Sequence, residues 1–200
     1  MLNFARLLVS ASVALTLTGC LVPEKFTAEA VFDTDGSYTY KFDGTVVNAM
    51  VATAKMKGEL SDKDRASLAQ ENQKIAKAPG VKKFVALSDT RYQLVTEEMI
   101  PLERHRTAQS TNILVVTTQE WKKDRTLTVT GPRTTEKDRQ LLQELGIKTD
   151  GIAKVVLPAG AKVLEHNARG TPGLFNKAYT WKVGLTGEQP KIRFQLPETK

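Results

Sequence analysis

Residues 25–43 read KFTAEAVFDTDGSYTYKFD, and this stretch decides the fold class. Apolar side chains occupy every second position on both sides of the segment Asp33–Gly36. A period of two residues is typical of a β-strand with one buried face. A short turn containing Asp and Gly between two such runs predicts an antiparallel β-hairpin.

Aromatic side chains are concentrated on this hairpin. Five of the 13 aromatic residues lie on it: Phe26, Phe32, Tyr38, Tyr40 and Phe42. Strict alternation favours the core face of a sheet. The alternative is an exposed aromatic platform for a sugar, which would require the rings to face solvent.

The hydrophobic period changes to that of a helix after the hairpin. Val47, Met50, Val51 and Ala54 follow the spacing i, i+3, i+4, i+7, which predicts a helix that ends near Gly58. The apolar face of that helix would consist of these four side chains.

Two further helices are predicted from their capping residues. Ser61 and the acids after it open a helix that continues to about Ala78, and Pro79-Gly80 stops it. A third helix begins at Thr134 or Thr135. It carries Leu141, Leu142 and Leu145 on its apolar side and has Gly146 as its C′ residue.

The remaining segments read as strands and turns. The predicted strands are Val81–Leu87, Arg91–Thr96, Asn112–Thr118, Thr126–Thr130, Ile152–Leu157, Lys162–Glu165, Ala178–Val183 and Lys191–Leu196. We expect the last two strands to pair across the segment Gly184–Pro190. The chain is therefore predicted to form an α+β fold, a mainly antiparallel sheet with two or three helices on one face.

The first 20 residues, MLNFARLLVSASVALTLTGC, carry a targeting signal. The apolar run Leu7–Thr18 follows Arg6 and is too short to span a bilayer, which needs about 20 residues. It ends in Leu17-Thr18-Gly19-Cys20, which resembles the lipobox of bacterial lipoproteins. The alternative is an ordinary signal peptide followed by a buried cysteine.

The lipobox resemblance implies a processing route and a location. Residues 1–19 would be removed, and Cys20 would carry a diacylglycerol on its thiol and usually an acyl group, such as palmitate, on its amine. Residues 20–200 would form a single periplasmic domain. Leu21 after the cysteine, rather than Asp, implies delivery to the outer membrane in a Gram-negative cell. Two or three acyl chains give a stable membrane anchor.

A second resemblance concerns the folded part of the chain. The stretch from Gly151 through His166-Asn167-Ala168 to Tyr179-Thr180-Trp181, together with the early hairpin and the two-helix insert, resembles LppM-type bacterial lipoproteins. That family implies a small α+β domain tethered by a lipobox. It implies no particular reaction.

Composition and charge narrow the function further. One cysteine and two histidines exclude a disulfide framework and Cys-rich zinc sites, so we expect no metal and no cofactor. The formal net charge is +7, with basic residues densest at Lys82-Lys83, Arg104-His105-Arg106 and Lys122-Lys123-Asp124-Arg125. We interpret these clusters as solvated turns and strand edges; the alternative is attraction to lipid headgroups, lipopolysaccharide or another anionic envelope polymer. Nucleic acid is not an expected partner.

Few residues could support catalysis. His105 and His166 are the candidate general bases, against the simpler interpretations of a surface loop residue and a structural hydrogen bond. The pair Glu97-Glu98 would point to opposite faces of a strand. The segment Arg169–Gly173 could offer backbone N–H groups to a phosphate, but its composition favours a turn.

The sequence thus favours a membrane-anchored envelope lipoprotein that acts as a non-enzymatic binding or scaffold domain. Its expected partners are the membrane, through Cys20, and another envelope protein or an anionic envelope polymer. Two alternatives stay open: a hydrolase or transferase acting on an envelope polymer through His105 or His166, and a carrier of lipid or lipopolysaccharide.

Overall fold

The computed structural model describes residues 21–58, 60–104, 113–118, 121–132, 134–174, 176–185 and 188–198. The strands are β1 (Leu21–Phe32), β2 (Tyr38–Asn48), β3 (Val81–Ala86), β4 (Arg91–Ile100), β5 (Val115–Thr117), β6 (Thr126–Thr130), β7 (Asp150–Val156), β8 (Lys162–His166), β9 (Ala178–Gly184) and β10 (Lys191–Gln195). The helices are α1 (Ala49–Lys57), α2 (Asp62–Ala76), the single turn α3 (Trp121–Asp124) and α4 (Glu136–Glu144); a 3₁₀ turn covers Leu102–Arg104. The predicted α+β class is confirmed.

The strands form two sheets. The larger sheet has the order β3-β4-β2-β1-β7-β9, and the smaller has the order β5-β6-β10-β8. The β1–β7 pair is parallel, whereas the other described pairs are antiparallel. The predicted predominance of antiparallel pairing is therefore confirmed, but the strands divide between two sheets instead of forming one.

The predicted hairpin is formed by β1 and β2, with Phe32 opposite Tyr38. Its turn is closed by the Gly36 N–H, which donates to the Asp33 carbonyl at 3.2 Å, and Gly36 has a φ of 91° that favours glycine. The five aromatic residues predicted for the core face, from Phe26 to Phe42, expose between 1% and 7% of their surface. The core interpretation is correct, so these rings do not form a sugar platform.

Two glycines allow the Phe26 ring to lie flat on the larger sheet. A Cβ on Gly151 of β7 would lie 2.3 Å from the Phe26 ring, and one on Gly44 of β2 would lie 2.4 Å from the Phe26 Cβ. The ring stacks on Phe42 with a centroid distance of 5.6 Å. Close approach of Phe26 thus requires glycine at both neighbouring positions, because its ring lies against Gly151 and its Cα and Cβ lie against Gly44.

The main core lies where the smaller sheet packs on the larger one. Phe32 of β1 meets Phe194 of β10 edge to face, with ring centroids 5.0 Å apart. Five apolar side chains of the smaller sheet are completely or almost completely buried: Val116, Leu127, Val129, Ile192 and Phe194. A sheet-on-sheet contact therefore closes this part of the larger sheet.

Helix α2 packs beside that contact, against β3. It begins at the predicted capping residue Ser61, which forms a capping box with Asp64, each side chain accepting from the other's backbone N–H. Leu68 and Ile75 are half-buried, and the Asn72 side-chain amide donates to the Tyr92 hydroxyl at 3.2 Å. The prediction of a helix lying on the surface of a sheet is correct for α2.

The predicted apolar face of the first helix is wrong. Val47 belongs to β2, so helical rotation starts only at Ala49, after the N-cap Asn48. Met50 is 66% exposed, and Ala54 is exposed too. The helix does end at Gly58, as predicted.

The predicted pairing of the last two strands is also wrong. Strand β9 pairs with β7 in the larger sheet, and β10 pairs with β6 and β8 in the smaller one. The chain between them therefore crosses from one sheet to the other. Alternation identifies a half-buried strand, but it does not identify the partner, because any antiparallel neighbour satisfies the same pattern.

Asn167 holds this crossover in place. Its side-chain oxygen accepts from the Trp181 indole N–H of β9 and from the Lys191 backbone N–H of β10, both at 2.8 Å. Its side-chain amide donates to the Gln189 carbonyl at 2.8 Å. One amide group thereby fixes both sheets and the connection between them.

Candidate functional site

His166 ends β8 with an exposed side chain. Its Nδ1 accepts from the Ala168 backbone N–H at 3.2 Å, and its ring centroid lies 5.1 Å from that of Tyr179. The preceding Glu165 pairs with Lys191 at 2.7 Å, which holds the pKa of the Glu165 carboxyl below its usual range. The structural hydrogen bond predicted as the simpler role of His166 is present.

The adjacent acids Glu97 and Glu98 lie on opposite faces of β4, as predicted. Glu97 faces Lys41 on the outer surface, with 3.5 Å between the charged groups. It lines a shallow groove of about 240 Å³ that also contains Glu29, Lys82 and Lys154. Opposite charges alternate along this groove, which is the pattern of a solvated sheet face.

The segment Arg169–Gly173 forms a turn. The backbone N–H groups of Arg169 and Gly170 donate to the Thr180 carbonyl at 3.1 and 3.3 Å, and the Gly173 N–H donates to the Asn176 carbonyl at 2.7 Å. These three donors are therefore engaged within the chain instead of pointing at an anion. The predicted turn is correct.

Several sequence candidates lie outside the described residues: Cys20, with the whole segment 1–19, and His105. The other basic clusters are partly described. Lys82 and Lys83 are exposed on the edge strand β3. Arg125 lies 4.9 Å from the Trp121 ring, and its guanidinium donates to the Thr34 carbonyl, so it stabilises the β1–β2 turn.

A cleft of about 670 Å³ opens at the end of the larger sheet where the described chain begins. The first strand contributes Val22 and Pro23, β9 contributes Val183, and α4 with the two residues before it contributes side chains from Thr134 to Leu142. Apolar side chains predominate in the lining: Val22, Pro23, Ile113, Pro132, Leu142, Val183, Leu185 and Pro190. The volume falls within the range of small-molecule and peptide-anchor sites.

Capping interactions at both ends define where helix α4, which lines the cleft, begins and ends. Thr135 and Asp138 form a capping box, and Thr135 Oγ1 donates to the Asp138 carboxylate at 2.7 Å. At the other end, Gly146 has a φ of 66°, and the Ile147 N–H donates to the Leu142 carbonyl at 2.8 Å. This Schellman geometry confirms the predicted start and end of the helix.

The connection between β9 and β10 forms the remaining wall. The Gln189 side chain donates to the Gly131 carbonyl, and the Gly131 N–H donates to the Pro190 carbonyl at 2.8 Å. A Cβ on Gly131 would lie 2.6 Å from the Pro190 ring, so only glycine permits this approach. The wall is therefore fixed by backbone contacts and by Asn167 behind it.

Two charged side chains of the cleft, Asp138 and Arg139, are engaged within α4 and its cap. The Thr135 hydroxyl and N–H hold the pKa of Asp138 below its usual value, and Arg139 pairs with Glu136 at 2.6 Å. The described lining residues include neither histidine nor cysteine. The arrangement can bind an apolar group by shape, and Thr134, Thr149 and Gln189 add polar side chains to the lining.

Sequence reasoning missed this cleft because its lining is dispersed. The lining residues come from five separate segments between Val22 and Pro190, and none of those segments has a motif of its own. The sequence feature that could have indicated the cleft is a pair of prolines, Pro132 just after β6 and Pro190 just before β10.

The described residues hold neither a metal-binding cluster nor a membrane-spanning helix. No group of three or more His, Cys, Asp or Glu side chains there is placed to hold a metal ion. Within the same part of the chain, no helix has both the length and the apolar character needed to cross a membrane.

The fold and the cleft define a two-sheet α+β domain with a ligand-sized cleft at one end. No protein-family model matches the chain, and no curated protein matches it. Among solved structures, the chain is similar to the folded domain of LppM from Mycobacterium tuberculosis, which was determined by NMR. The similarity covers 92% of this chain and 95% of that domain, with 12% sequence identity and a TM-score of 0.39. Similarity at this level assigns no activity and no residue role.

Proposed function

We propose that the protein is a lipid-anchored envelope protein that binds a partner in the cleft at the membrane surface. The observation that carries the proposal is the position of the cleft beside Val22 and Pro23, which are two and three residues after the proposed lipobox cysteine Cys20. An acylated Cys20 would hold the cleft at the bilayer. Tethering raises the effective concentration of the domain near membrane partners, so a modest interface is sufficient.

The proposed location is the outer membrane of a Gram-negative cell, facing the periplasm, because Leu21 follows the lipidated cysteine. In a cell without an outer membrane, the same anchor would hold the domain on the outer face of the cell membrane. The proposed partner is another envelope protein that inserts an apolar side chain or loop between α4 and the β9–β10 connection.

A second candidate function is the carriage of a lipid. The apolar lining of the cleft favours it, since acyl chains need such a surface and the lining also supplies hydroxyl and amide groups for a headgroup. The two candidates use the same cleft and differ in what occupies it.

The test is crosslinking in cells from a photoreactive residue placed at Leu185 of the full-length lipoprotein. We expect one protein partner to be captured with the intact anchor and to be lost in Cys20→Ala. Capture should also be lost in Leu142→Arg, because the arginine side chain would fill the cleft. The matched control is Leu141→Arg: Leu141 is 43% exposed and does not line the cleft, so capture should be kept.

Two results would redirect the proposal. Crosslinks to lipid, blocked by Leu142→Arg, would support the carrier function. Equal capture by both arginine variants would contradict any role for the cleft.

A further inference from the structure

A second surface at the same end of the domain has no role in the cleft. Helix α1 begins where β2 ends and runs across β4 toward the β3–β4 turn. Its N-cap Asn48 donates its backbone N–H to the Thr90 carbonyl at 2.8 Å, and Lys55 near its C-terminus pairs with Asp89 at 2.7 Å. Both ends of α1 are thus tied to one end of the larger sheet, so the helix lies along that end.

The described chain begins at the same place. Leu21 pairs with Asn48, the residue that caps α1. Cys20 is one residue earlier, and consecutive Cα atoms are about 3.8 Å apart. An acyl group on Cys20 would therefore leave almost no linker between the bilayer and α1.

This end of the sheet exposes large apolar side chains. Met50 and Met56 of α1 are 66% and 63% exposed, and Leu87 beside the β3–β4 turn is 57% exposed. Basic residues lie beside them on the last turn of α1, where Lys55 and Lys57 are both exposed. Exposed apolar side chains with lysines beside them match the interface of a bilayer that contains anionic lipid.

We propose that α1 and the β3–β4 turn form a membrane-contact surface, in which Met56 and Leu87 enter the headgroup region of an anionic bilayer. The inference rests on the proposed lipid anchor at Cys20, and it adds an orientation that a flexible tether would not impose. In this orientation, the cleft opens beside the membrane surface, and the β1–β2 turn faces away from it.

The experiment uses the mature, acylated protein (residues 20–200) in vesicles of phosphatidylethanolamine and phosphatidylglycerol with brominated acyl chains, which quench indole fluorescence on contact. Met56→Trp is the reporter. Met99→Trp is the matched control, since Met99 is 62% exposed and lies opposite Thr39 at the other end of β4. Parent protein supplies the background from Trp121 and Trp181, and Leu87→Trp is a second reporter.

We expect at least about threefold stronger quenching at positions 56 and 87 than at position 99, because interfacial apolar groups lie about 5–10 Å deep. Equal quenching at all three positions in protein that floats with the vesicles would overturn the contact surface and leave the anchor standing. Stronger quenching at position 99 would overturn it as well. Protein that fails to float and lacks acylated Cys20 would overturn both the anchor and the inference.

Discussion

The core between the two sheets and the end of the domain where β1 begins differ in how apolar side chains are used. In the core, rings and aliphatic side chains are covered, and Leu127, Ile192 and Phe194 expose none of their surface. At the β1 end, Met50, Met56 and Leu87 are more than half exposed, and an apolar cleft stays open. The difference indicates that the sheet contact supplies stability, whereas the β1 end is available for binding.

The largest expected effect is a cavity in the core. Phe194→Ala removes a fully buried ring that contacts Phe32, and we expect a loss of about 3–5 kcal/mol in the free energy of unfolding. Urea denaturation of the protein measures it. Leu174→Ala is the control, because Leu174 is 97% exposed and should change stability by less than about 0.5 kcal/mol. Similar effects for both variants would contradict the two-sheet core.

The next largest effect is expected at Asn167, which connects the two sheets to the β9–β10 connection that lines the cleft. Asn167→Ala leaves the buried Trp181 indole N–H and the Lys191 N–H without their acceptor, which should cost about 2–3 kcal/mol. Because Gln189 also loses its bond to Asn167, amide exchange in the β9–β10 connection should accelerate. His166→Ala is the neighbouring control. An equally large loss of stability in that variant would argue against Asn167 as the residue that connects the two sheets.

A smaller effect is expected at the wall of the cleft. Thr135→Ala removes the N-cap of α4 and should lower stability by about 1 kcal/mol. We also expect weaker capture of the cleft partner, because α4 carries Leu142. If crosslinking from Leu185 is unchanged while thermal unfolding shifts, the position of α4 has no influence on binding.

The smallest effect is a dependence of stability on pH. Hydrogen bonds from Thr135 to Asp138, and from Lys55 to Asp89, lower the pKa of both carboxyls in the folded chain. A lowered folded pKa stabilises the protein above the unfolded value of about 4, and this contribution is lost as the pH falls through the folded pKa. Unfolding midpoints between about pH 6 and pH 2 should show it, with a shallower slope in Asp138→Asn. An identical slope in that variant would contradict the role of this carboxyl.

Local patterns in the sequence predict the elements of this fold well. The β1–β2 hairpin, the capping boxes of α2 and α4, and Gly146 follow from contacts within a few residues, which the sequence shows directly. The faces of α1 and the pairing of β9 and β10 depend on distant partners. Met50 has the spacing of a buried residue, and nothing near it in the sequence indicates that its side chain is mostly exposed in the folded protein.

The candidate site was harder to foresee for the same reason. Its lining residues come together only when β1, α4 and the β9–β10 connection meet, and Asn167 contacts residues 14 and 24 positions away. A titratable side chain, such as that of His166 or Glu97, is recognised in the sequence by its residue type. A cleft lined by residues from distant segments has no such signature.

The proposed lipid anchor at Cys20 underlies both the proposed function and the proposed membrane orientation, and mass spectrometry of the N-terminal peptide tests it most directly. The protein should be recovered from the membrane fraction of cells that express the full chain and digested with trypsin. We predict a peptide that begins at Cys20, ends at Lys25 and carries a diacylglycerol on the thiol. A chain that still begins at Met1, or a mature peptide with an unmodified Cys20 thiol, would contradict the anchor and the orientation of the cleft built on it.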